Sequence, residues 1–201
     1  MIRLIQALAK KIGQHFFKDQ LKNEYEQAKF EYGLLLFIEI LLDIIGFVIL
    51  GLLFDCLDLL VVYLTTFGIV RMNAGGYHAK TFIGCFLSIS GLALVSVEMM
   101  SLYSGHHFIY LILGVLSGAL IMIMAPLDTE SKPLSDKRKQ KCKVKTIYFT
   151  LATIMISIIL YVLGYSEGFI MMSLALLGQM LTMIPLFYKY KKGEKYYEKL
   201  F

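Results

Sequence analysis

Charge is what this sequence has least of. Only 17% of its 201 residues are charged, where a soluble domain carries about 25%. Hydrophobic residues make up 58%, and the mean hydropathy is +0.68. That composition excludes an ordinary soluble domain and identifies a membrane protein. Lysine and arginine are missing from most of the chain. All 20 fall in four segments, with six in residues 1–29, two in 71–80, seven in 126–145 and five in 189–199. A net charge of +5 distributed this way marks membrane topology, and no nucleic-acid partner is expected. The three cysteines, Cys56, Cys85 and Cys142, are odd in number and show no CxxC or metal-ligand spacing. They exclude a disulfide framework, and neither a metal nor a cofactor is called for. No apolar h-region precedes residue 29, so the start of the chain does not read as a cleavable signal peptide. There is no internal repeat or low-complexity tract.

What is present is a series of apolar stretches, at roughly 30–54, 56–70, 81–103, 108–125, 146–164 and 169–188. Most approach the ~20 residues that an α-helix needs to cross a ~30 Å hydrocarbon core. They predict an all-α integral membrane protein with six transmembrane helices. The turns at 55–58, 104–107 and 165–168 contain no lysine or arginine. Positive residues stay on the cytoplasmic side, so both termini are expected inside. A single domain over 1–201 follows, with a cytoplasmic or interfacial helix at 1–28, a six-span bundle at 29–188 and a basic cytoplasmic tail at 189–201. In the first segment Ile2, Ile5, Leu8, Ile12 and Phe16 recur at helical spacing, with Lys10, Lys11 and Gln14 among the polar positions. This predicts an amphipathic helix lying on the anionic lipids of the inner leaflet. The stretch "GVLSGAL" places Gly114 and Gly118 four apart, a spacing that serves close helix packing or a homodimer.

The chemistry gathers in "RMNAGGYHAKTFIGC", Arg71 to Cys85. His78 precedes Cys85 by seven residues. On one continuous helix that spacing returns to the same face but two turns away, ~10.5 Å, too far for a hydrogen bond. The Gly75-Gly76 pair permits turns that other residues cannot make, so a loop there is able to fold His78 back toward the third span. A thiolate nucleophile requires a base or a cation, and imidazole is the usual one. Spacing alone is compatible with a Cys85/His78 dyad, and more readily with a buried cysteine beside an interfacial histidine. The second span counts 15 residues from Cys56 to Val70, ~22 Å, shorter than the hydrocarbon core. Arg71 and the glycine loop are therefore expected at the inner membrane boundary, where irregular backbone must line protein or a wet cavity.

These residues resemble the accessory gene regulator B (AgrB) family of membrane peptidases in bacterial quorum sensing. The resemblance rests on R-x3-G-G-x-H-A-x5-C, spanning Arg71, Gly75, Gly76, His78, Ala79 and Cys85. A looser match is "APLDTESKPLS", Ala125 to Ser135. The resemblance implies a cysteine endopeptidase that removes the C-terminal tail of a small peptide precursor (AgrD) and cyclises what remains as a thiolactone or lactone. It implies His78 and Cys85 as the catalytic pair, and a precursor with an acidic tail suited to the basic loops. Arg71, Asn73, Gly75 and Gly76 become candidates for holding the substrate backbone or an oxyanion. Arg71 is equally compatible with a snorkelling membrane anchor. Lys132 and Pro133 become candidates for precursor binding by likeness alone. The implied location is the bacterial cell membrane, with the active site on its cytoplasmic side.

Carboxylates inside the spans support a rival class. Glu39 and Asp43 lie four apart in the first span, and Glu98 sits toward the outer end of the third. An ionised acid at such a position costs ~2.5 to 3.5 kcal/mol on insertion scales, so each is expected to face the bundle, a cavity or a partner. Glu39 is a candidate for orienting His78, as are Glu31 and Asn73. Alternatively, Glu39, Asp43 and Glu98 line the path of a small proton-coupled transporter. Against that alternative, no span is broken in mid-membrane.

Overall fold

A computed structural model describes residues 24–77, 79, 81–102, 105, 107–127 and 135–191. Most of the expected amphipathic helix, His78, Lys132, Pro133 and the tail beyond Lys191 lie outside the described residues. Six helices follow in order: α1 Glu24–Leu53, α2 Leu57–Ala74, α3 Phe82–Leu102, α4 His107–Met124, α5 Asp136–Val162 and α6 Ser166–Lys191. All six are long and apolar enough to cross a membrane. Each corresponds to one stretch expected from the sequence.

Two boundaries differ from expectation, both for a local reason. α2 does not stop at Val70 but runs through Arg71, Met72 and Asn73 to Ala74. None of these residues breaks a helix, and the chain turns only where Gly75 takes φ +77°. At 18 residues the helix is ~27 Å long, so the shortfall in length expected from 15 residues largely disappears. α5 begins at Asp136, well before its apolar part, because Lys137, Arg138, Lys139 and Gln140 are good helix formers.

The chain forms two compact units. One comprises residues 1–55 and 79–88, the other 56–78 and 89–201. In the smaller unit the Phe86 ring, near the start of α3, lies over Gly46 of α1. A β-carbon at Gly46 would stand 2.6 Å from that ring. Phe47 adds a second ring with its centroid 5.0 Å from that of Phe86.

In the larger unit α6 is the central element, packed against α2, α4 and α5. Its contacts use small residues. Gly114 of α4 accepts Ser173 of α6 so closely that a β-carbon there would lie 2.6 Å from Oγ. Gly118 packs against Ile154 and Thr150 of α5, so both glycines of the "GVLSGAL" stretch are engaged within the chain. Gly178 faces the hydroxyl of the wholly buried Tyr63. On α5, Thr146, Thr150, Thr153 and Ser157 are buried, and Ser157 Oγ lies 3.2 Å from Ser173 Oγ. Lipid tails are as apolar as leucine, so membrane helices associate through such close packing and hydrogen bonds.

Candidate active site

The larger unit holds the glycine loop at one end. α2 ends with the Gly75 N–H donating to the Arg71 carbonyl (3.1 Å). Gly75 then pairs in parallel with Leu127, whose N–H donates to the Ala74 carbonyl at 3.0 Å. A β-carbon on Gly75 would stand 2.2 Å from the Leu127 carbonyl oxygen. With φ +77° as well, only glycine fits there. The Ala125–Leu127 segment that receives it contains a cis Ala125–Pro126 bond. Lys143 of α5 holds that segment by donating to the carbonyls of Met122 (2.5 Å) and Ala125 (2.7 Å). Those are carbonyls that a helix C-terminus leaves without intrahelical partners.

α6 holds the other side of the loop. Gln179, wholly buried, donates from Nε2 to the Gly75 carbonyl at 2.7 Å. The Tyr77 N–H donates to the Thr182 carbonyl at 2.8 Å. Arg71 reaches across the turn, with Nη1 donating to Thr182 Oγ1 (3.1 Å) and Nη2 to the Tyr77 carbonyl (2.6 Å). Its guanidinium carbon also lies 5.3 Å from the centre of the Phe67 ring. Arg71 is thus directed at the loop, where its charge-assisted bonds fix the backbone.

Cys85 belongs to the smaller unit. It is half-buried in the first turn of α3, and its N–H donates to the Thr81 carbonyl at 3.0 Å. Thr81 caps the helix, its Oγ1 accepting from the Gly84 N–H at 3.1 Å. The thiol therefore stands in the first turn of a capped helix. The residues described between the two helices, 75–77, 79 and 81, are all non-helical. α2 and α3 are therefore two separate helices.

The other residues singled out from the sequence are dispersed. Asn73 is half-buried, with Nδ2 donating to the Ile69 carbonyl one turn back (3.4 Å). Glu31 accepts from Gln27 at 3.3 Å. Glu39 and Asp43 are half-buried on α1, whereas Glu98 is exposed. No group of three or more histidine, cysteine or acidic residues suited to a metal ion occurs among the described residues. Sequence reasoning missed Gln179, Thr182 and Lys143. Gln179 carried a signal, because it is the one amide in the apolar run "MMSLALLGQMLTMIPLF", and a polar group in a span needs a partner.

Comparison with known proteins supplies the family. The chain is 29% identical over 177 residues to a putative AgrB-like protein of Clostridium perfringens (strain SM101 / Type A), covering 81% of this chain and 82% of that one. It is 27% identical over 184 residues to putative AgrB-like protein 2 of C. perfringens (strain 13 / Type A), covering 82% and 81%. With the accessory gene regulator protein B of Staphylococcus aureus (strain JH9) it shares 29% identity over 121 residues, 60% of this chain and 62% of that protein. No solved structure matches it. The family model described as accessory gene regulator B matches residues 5–186. With six membrane-competent helices and a match over nearly its whole length, the chain belongs to the AgrB family of quorum-sensing membrane proteins.

Proposed function

We propose that this protein is a cysteine endopeptidase of the bacterial cell membrane that trims and cyclises a small AgrD-like precursor, with Cys85 as nucleophile and His78 as its base. The observation that carries this reading is the break between α2 and α3. It removes the ~10.5 Å separation that one continuous helix would impose, and it leaves Cys85 in the first turn of a capped helix. In the larger unit the end of α2, the start of α5 and the end of α6 lie together. They bring Arg71 and the Lys137–Lys145 series to one side, which supports a cytoplasmic site with both termini inside. That basic side suits an acidic precursor tail and anionic lipids. A homodimer is the proposed assembly.

His78 takes the proton from the Cys85 thiol, and the thiolate attacks the carbonyl carbon at the end of the signal segment. The C–N bond breaks, and His78 delivers the proton to the departing amine. An acyl-thioester on Cys85 results. Attack by a cysteine thiol of the precursor forms the thiolactone and restores the Cys85 thiol; a serine hydroxyl gives a lactone. Exchange of one thioester for another is nearly isoenergetic, so the ring survives only where water is held off, as at a membrane boundary.

The test is mass spectrometry of membranes containing the protein and the small peptide encoded beside it. Wild type is expected to yield a truncated precursor lighter by one further water, labile at a thioester. Cys85→Ala and His78→Ala are expected to leave the precursor whole. Processing that persists in correctly inserted Cys85→Ala would sink the proposal.

A further inference from the structure

Gln179 is a full amide with no exposed surface in the middle of an apolar helix. Burying such a group without a partner costs about 1–3 kcal/mol, and its donor end is matched. Nε2 donates to the Gly75 carbonyl at 2.7 Å. Oε1 lies 3.4 Å from the Thr182 hydroxyl, which donates to the Gln179 carbonyl at 2.8 Å. Thr182 also accepts from Arg71 and receives the Tyr77 N–H on its own carbonyl. Gly75 C=O, Tyr77 N–H and Tyr77 C=O are therefore each held by a named group. Tyr77 is covalently next to His78. Gly75 and Gly76 both take positive φ, +77° and +148°, and glycine loses more conformational freedom on ordering than any other residue. A loop built from two of them takes its conformation from what grips it.

We infer that Gln179, with Thr182, is a positioning residue for the candidate dyad: α6 sets the course of the glycine loop and thereby where His78 is presented. This rests on the peptidase reading. It assigns a functional task to a helix outside the cysteine motif, and it makes Arg71 a member of the same clamp. A residue that only filled space would be replaceable by any side chain of its shape. The positioning role requires a donor at the end of that side chain.

The experiment measures alkylation of Cys85 by iodoacetamide in the full-length protein in liposomes, from pH 6 to 8.5. Each cysteine is quantified separately by peptide mass spectrometry, and Cys142 serves as the internal reference. His78→Ala defines the signature of a lost dyad. Gln179→Met keeps the volume without the donor and is expected to lower the Cys85/Cys142 rate ratio about tenfold at pH 7, the value of one buried hydrogen bond. Gln179→Glu supplies a rescue, since burial keeps a carboxyl neutral in mild acid and the neutral acid has one O–H to donate. Its ratio is expected near wild type at pH 6 and near that of Gln179→Met at pH 8.5. Thr182→Val keeps the shape and is expected to lower the ratio about threefold, so the question stays answerable if Gln179→Met does not fold. Folded Gln179 and Thr182 variants with the wild-type ratio at every pH would reduce both residues to packing and overturn the inference. If His78→Ala itself leaves the ratio unchanged, the dyad is wrong and the positioning role falls with it.

Discussion

The first and last described helices have the same broad character and opposite fates. α1 is the more apolar, with a mean hydropathy of 2.6 over its best window, yet none of that window is buried. α6 scores only 1.8, and 61% of its window is buried. In water this ordering would be perverse. In a bilayer it is expected, because hydrophobicity drives insertion and gives helices no reason to adhere to one another. What draws neighbours to α6 is its interruptions of apolarity: Ser173, Gly178, Gln179 and Thr182 each meet a defined partner. On α1, Ile40, Ile44, Val48 and Ile49 are exposed instead.

Substitutions on the two helices can break this contrast. The largest effect is expected at Gly178→Val. Its β-carbon would stand 2.1 Å from the hydroxyl of Tyr63, which is itself fully buried and unable to retreat. Overpacking of this kind costs about 1–3 kcal/mol, seen as a lower thermal midpoint of the detergent-solubilised protein. Ser173→Ala removes the 3.2 Å contact with Ser157 but keeps the β-carbon that packs on Gly114. A loss of about 0.6 kcal/mol is expected from denaturant titration in mixed micelles. The smallest effect belongs to α1. Ile49 is half-exposed, and Ile49→Ala should change stability by less than about 0.5 kcal/mol. An Ile49→Ala cost comparable with that of Gly178→Val would mean that a second copy covers α1. Crosslinking through a cysteine placed at position 49 would then trap the dimer.

The same contrast explains what was legible in the sequence. Six spans could be read directly, because insertion depends on local hydropathy and every apolar run carries that signal. The turn at Gly75-Gly76 was legible as well, since glycine permits backbone turns that other residues cannot make. The ends of α2 and α5 were not, because Arg71 to Asn73 and Lys137 to Gln140 are polar yet compatible with a helix. Polarity marks where the membrane ends, not where the helix does. The clamp was legible least of all. Nothing in the spacing of Arg71, Gly75 and Tyr77 points to Gln179 and Thr182, over a hundred residues away. Asn73 bonds one turn back along its own helix, to the Ile69 carbonyl, a local contact that periodicity does not record. Partner choice across a bundle is a tertiary fact, and periodicity records only which side of a helix is greasy.

The bond from Gln179 to Gly75 spans 104 residues of sequence, and that distance also orders events in time. Synthesis runs from the N-terminus, so the glycine loop leaves the ribosome long before the amide that grips it. Until α6 enters the bilayer, the Gly75 carbonyl lacks that donor. The grip on the loop is complete only once the last span is in place.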